Sequence, residues 1–135
     1  MTVVSDTSPV LNLARIGRLE LLRLLYGEVL IPFAVYRELT DSKRDLPPAI
    51  DLASMPWLIV AAAADQNRVQ ELRENLDPGE AEAVVLATEL RADLLLVDER
   101  RGRRTAMAAW RLEHGAADDA AKLETADCSL RKPND

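Results

Sequence analysis

The chain has 135 residues, 48% of them apolar, which suits one domain with its own core. A single cysteine, Cys128, excludes a disulfide framework and points to a reducing compartment. The net charge of −6 argues against a general nucleic-acid coat, which is usually basic, yet leaves room for an enzyme that meets phosphates through a metal ion. No apolar run reaches the ~20 residues of a membrane helix and no secretory signal is visible, so a soluble cytoplasmic protein is expected.

Val3 to Ser5 reads as a short buried strand that ends in Asp6. Thr7 and Ser8 can cap, and Pro9 suits a first helical turn, so a helix follows at once and stops near Gly17. The leucines from Leu19 to Leu25 make a second helix ended by Gly27. Glu28 to Ile31 is the next strand, and Pro32 can open a helix that carries Val35, Glu38 and Leu39. Asp41 to Pro48 is polar and reads as a loop, with a helical turn or more over Ala49 to Ser54. Trp57 to Val60 reads as a strand, and Asp65 can cap a helix with Val69, Leu72 and Leu76 on one face.

Asp77-Pro78-Gly79-Glu80 is a strong helix start, with Asp77 as cap, Pro78 as first residue and Glu80 reaching back as in a capping box. Leu94 to Val97 is the clearest buried strand and ends in Asp98. Arg101 to Glu113 reads as a final helix stopped by Gly115. Strands and helices alternate throughout, which implies a mostly parallel sheet with helices on both faces. Beyond Gly115 the pattern fades. A loose tail is expected there, with at most a helix over Asp118 to Glu124.

In an open α/β sheet, ligands bind just beyond the carboxyl ends of the strands. Asp6 and Asp98 sit at two such ends, while Glu38 and Glu82 lie on helices. Four carboxylates in one crevice would repel one another unless a hard cation filled the space. Mg²⁺ or Mn²⁺ takes oxygen ligands and supports phosphoryl chemistry. Each acid also has a plain structural role open to it: Asp6 and Ser8 as caps, Glu80 as the capping-box acid, Glu38 and Glu82 as ordinary helix acids, Asp98 at a turn. Arg100, Arg101, Arg103 and Arg104 follow Asp98 and suit a phosphodiester backbone or a solvated face. Tyr26, Phe33, Tyr36, Trp57 and Trp110 are too few and scattered to suggest a stacking platform.

Four stretches together resemble the PIN-domain family, and within it the compact VapC-like ribonuclease toxins. They are Val4-Ser5-Asp6-Thr7-Ser8-Pro9-Val10-Leu11, Ile31 to Leu39, Leu76-Asp77-Pro78-Gly79-Glu80-Ala81-Glu82-Ala83, and Leu94 to Arg103. The resemblance implies a PIN-like three-layer α/β/α fold over residues 1–114 with a mostly parallel central sheet. It implies a Mg²⁺- or Mn²⁺-dependent endoribonuclease with Asp6, Glu38, Glu82 and Asp98 as catalytic and metal-binding acids and Ser8 in support. Glu80 competes with Glu82 for the third place, and Glu99 with Asp98. Arg100 and Arg103 would hold the substrate phosphate. The implied partners are an RNA substrate, a cognate antitoxin protein and a second copy of the chain.

The match fails after about Ala106. Relatives continue into a helix, a further strand and a closing helix, whereas Trp110 to Asp135 offers no apolar strand. The last sheet strand is therefore open, and residues 115–135 are expected as a divergent, loosely ordered tail. The alternative function is a catalytically impaired binding or regulatory module whose acidic groove meets a basic partner.

Overall fold

The computed structural model describes residues 1–41, 51–97 and the backbone of strand 122–125. The elements run β1 (Val3–Ser5), α1 (Thr7–Arg15), α2 (Glu20–Tyr26), β2 (Val29–Pro32), α3 (Phe33–Leu39), a 3-10 turn (Leu52–Ser54), β3 (Leu58–Ala61), α4 (Gln66–Leu72), α5 (Pro78–Leu90), β4 (Leu94–Val97) and β5 (Lys122–Thr125). The strands form a parallel sheet in the order β3-β2-β1-β4-β5. This is the three-layer α/β/α arrangement that the alternation of elements implied.

Strand residues alternate between two cores, as the period of two demands. Val3, Val29, Ile31, Leu94 and Leu96 face a core built with α1, α2 and α3, including Val10, Leu13, Leu22, Val35 and Leu39. Val4, Leu95 and Val97 face the opposite core, which α4 and α5 supply through Val69, Ala81, Val84 and Val85. The chain winds outward from β1 to β2 and β3, then crosses the sheet to β4. Right-handed crossovers put helices on opposite faces when the direction of winding reverses. The two cores are the result.

Helix ends follow local chemistry. The Asp6 side chain accepts from Thr7 N–H at 2.7 Å and opens α1. Asp77 Oδ1 accepts from Glu80 N–H at 2.9 Å and opens α5, with Pro78 at the first position. Gly27, with φ of +76°, ends α2 in the left-handed region where a side chain would be strained.

One expectation is corrected. The sheet has a fifth strand, and it lies within the stretch expected to be a loose tail. Residues 122–124, given to the end of a helix over Asp118 to Glu124, belong instead to β5. Lys122, Leu123, Glu124 and Thr125 stand opposite Leu94, Leu95, Leu96 and Val97 in parallel register. The physical reason is that, among the described residues, β5 is the edge of the sheet. An edge takes its backbone hydrogen bonds from one neighbour and needs no continuous apolar run, and charged residues are favoured there. A search for a buried strand could not find it. The helix expected over Arg101 to Glu113 lies outside the described residues.

Candidate metal centre

The reversal of winding lies between β1 and β4, so their carboxyl ends border the crevice where such sheets bind ligands. Asp6 stands at that point. Its N–H donates to Leu96 O at 3.0 Å, tying the first residue past β1 to β4. Its carboxylate is almost fully buried, at 5% exposure. From the other side comes the N-terminus of the 13-residue α5. One oxygen each from Asp6, Asp77 and Glu80 lies within 4.8 Å of the others. The helix dipole favours carboxylates at this end.

Glu38 reaches the same place from α3. A β-carbon built on Gly79 would stand 3.0 Å from Asp6 Oδ1, 3.1 Å from Glu38 Oε1 and 3.2 Å from Thr7 Oγ1. Those oxygens border the space beside Gly79, which a side chain at that position would crowd. Thr7 Oγ1 is buried and has no hydrogen-bond partner.

Asp6 is the acid whose charged form these surroundings disfavour. Burial raises the Asp6 carboxyl well above the ordinary range, and the charges of Asp77, Glu80 and Glu38 push the same way. The Thr7 N–H works against them by bonding the charged form. A carboxyl whose pKa is raised on folding holds its proton better in the folded chain. Its contribution to stability is present below the unfolded value of about 3.9 and is lost as pH climbs through the raised folded value. In EDTA, the melting temperature of the parent relative to Asp6→Asn is therefore expected to fall from pH 4 upward. A difference that stays flat over that range would contradict the assignment.

The residues present fit a hard divalent cation. The donors are all oxygen, the carboxylates crowd one another, the Thr7 hydroxyl lacks a partner and the floor is a glycine. Gly79→Ala tests the fit. Alanine suits a helix better than glycine by about 1 kcal/mol, so the fold should survive. The added methyl would crowd Asp6, Glu38 and Thr7, and Mn²⁺ affinity is expected to fall by about tenfold or more in a calorimetric titration. Unchanged affinity would move the cation away from this space.

A family model described as a PIN domain matches residues 2–110, most of the chain. The chain belongs to the PIN-domain family. PIN domains are generally nucleases that use divalent metals, and the acidic group here could hold one. No curated protein and no solved structure matches the chain.

Within this PIN domain, the acids expected from sequence are distributed unevenly. Asp6 and Glu38 meet over Gly79. Glu82, at 5% exposure, has both oxygens engaged: Oε1 accepts from Ala34 N–H at 2.7 Å, and Oε2 accepts from Gln66 Nε2 at 3.1 Å. It thereby caps the start of α3 and holds the start of α4. Its competitor Glu80 is the residue grouped with Asp6. Ser8 lies in the first turn of α1, partly buried. Asp98, Glu99, Arg100 and Arg103 lie outside the described residues.

Two residues of the group are not among the acids and hydroxyl expected from sequence. Asp77 is the helix cap that the sequence predicts, and at the mouth of the crevice it also joins the acids. The signal available was its place one helical turn from Glu80. Thr7 reads from sequence as a possible cap, whereas Asp6 does the capping. The aromatics are less scattered than the sequence suggests. Phe33 and Tyr36 stack with ring centroids 5.9 Å apart, and the Arg37 guanidinium lies 5.1 Å from the Phe33 centroid.

Proposed function

We propose that this PIN domain is a Mg²⁺- or Mn²⁺-dependent endoribonuclease that cuts single-stranded RNA, and that it is the VapC-like toxin of a toxin–antitoxin pair. The observation that carries the reading is the convergence of Asp6, Asp77, Glu80 and Glu38 around Gly79 at the carboxyl end of β1. Asp6, Glu38, Asp77 and Glu80 would hold the cation. Asp98 is proposed to join them because it directly follows Val97, the last residue of β4. Arg100 and Arg103 are proposed to hold a flanking phosphate.

The chain's own residues prepare the site. Thr7 N–H and Leu96 O fix Asp6, and Asp77 is fixed by its bond from Glu80 N–H. Glu82 sets the start of α3, the helix that carries Glu38. Carboxylates held in place before the cation arrives need little rearrangement when charge develops. The bound cation would supply Lewis acidity and neutralise charge on the phosphodiester as water adds to phosphorus and the bond to the 3′-oxygen breaks.

A cognate antitoxin that enters the acidic groove, and pairing of two copies, are part of the same proposal. Among the described residues no helix is long and apolar enough to cross a membrane.

The test is cleavage of a labelled single-stranded RNA by the full chain with Mg²⁺, with Mn²⁺ and with EDTA, beside a DNA of the same sequence. Cleavage confined to RNA and stopped by EDTA is expected. A folded protein that binds Mn²⁺ but leaves RNA intact would favour the binding-module reading instead.

A further inference from the structure

Thr7 Oγ1 is the observation that the acid group alone does not explain. Thr7 is 4% exposed. Among the described residues, its hydroxyl is the buried side-chain polar atom without a hydrogen-bond partner. Leaving a buried hydroxyl unpaired is destabilising. Helix capping does not account for it, because Asp6 accepts from Thr7 N–H and fills that role. The hydroxyl instead borders the space over Gly79, at 3.2 Å from the built β-carbon, alongside Asp6 Oδ1 at 3.0 Å and Glu38 Oε1 at 3.1 Å.

A hydroxyl offers two lone pairs and one proton. Carboxylate oxygens offer only acceptors, and a shell made of them alone concentrates negative charge. A neutral oxygen in the same shell adds a donor atom without adding charge. We propose that Thr7 Oγ1 is a neutral ligand to the divalent cation held by Asp6, Glu38, Asp77 and Glu80, so that the hydroxyl finds its partner when the cation binds. This rests on the reading of the acid group as a cation site.

The two claims separate in one calorimetric experiment, with Mn²⁺ titrated into the full chain in the absence of RNA. The proteins are the parent, Thr7→Val, Thr7→Ser and Asp6→Asn, each also melted in EDTA. Valine keeps the shape of threonine and deletes the hydroxyl. Serine keeps the hydroxyl and deletes the methyl. Thr7→Val is expected to weaken Mn²⁺ binding about tenfold, in the range that ligand-supporting groups give, with a metal-free melting temperature equal to or above that of the parent. Thr7→Ser is expected to bind Mn²⁺ within about threefold of the parent.

Thr7→Val binding Mn²⁺ as tightly as the parent would overturn the proposal while leaving the acid site standing. So would equal loss of affinity in both Thr7 variants, together with lowered metal-free melting, because packing of the methyl would then be the cause. Saturable binding in the parent that Asp6→Asn abolishes supports the acid site independently. No saturable binding in the parent would overturn both claims.

Discussion

Replacing Asp6 by Asn is expected to abolish divalent-dependent cleavage and, at the same time, to make the metal-free protein more resistant to heat. The two effects have one origin. Asp6 is buried among Asp77, Glu80 and Glu38, and its ionised form is disfavoured there. A carboxamide keeps the oxygen that accepts from Thr7 N–H, and its NH₂ can donate to neighbouring carboxylates. The fold thus loses a source of repulsion while the cation loses a ligand. Cleavage should drop by more than about a hundredfold, as expected when a group in a metal shell is removed. In EDTA at pH 7.5 the melting temperature should rise by roughly 3–5 °C, the shift that about 1 kcal/mol makes in a domain of this size. Undiminished cleavage would show that Asp6 is not in the metal shell. A lower melting temperature would show that its charge is not a burden to the fold.

The second large effect separates two neighbours on α5. Glu82→Ala is expected to destabilise the protein, and Glu80→Gln to weaken cation binding. Glu82 gives a charged acceptor to Ala34 N–H and another to Gln66, so truncation strips the start of α3 and loosens α4. The cost should be about 2–4 kcal/mol, seen as a fall of roughly 10 °C in melting temperature. Glu80→Gln preserves the shape of the side chain while removing one charge from the group with Asp6 and Asp77. Its Mn²⁺ affinity should fall at least tenfold, with a smaller change in melting than Glu82→Ala. If Glu82→Ala stays stable but loses Mn²⁺, Glu82 belongs in the metal shell and its place as a brace is refuted.

This pair also shows how far the sequence could be read. The ten elements from β1 to β4, counting the 3-10 turn, follow from short apolar runs, helical spacing and cap chemistry, all local signals. So does the position of Asp6, since a β-branched run that ends in an acid and a helix start leaves little choice. Choosing between Glu80 and Glu82 was harder. They lie two residues apart on a helix start, and both are buried. Which one faces the crevice depends on how α5 is rotated against α3, a tertiary fact. Glu82 is taken up by Ala34 and Gln66, which are 48 and 16 residues away in sequence. No window along α5 contains that information. Asp77 was hidden because one residue does two jobs, and β5 because an edge strand carries little apolar pattern.

The fifth strand also sets how the sheet can be trimmed. β4 is Leu94-Leu95-Leu96-Val97, apolar throughout, and its backbone is paired with β1 on one side and β5 on the other. A chain shortened before residue 122 would leave one flank of that strand uncovered beside the crevice. Such a bare ladder is a template for pairing with another molecule. β5 thus acts as a selvedge, keeping the woven middle of the sheet from being extended by a stranger.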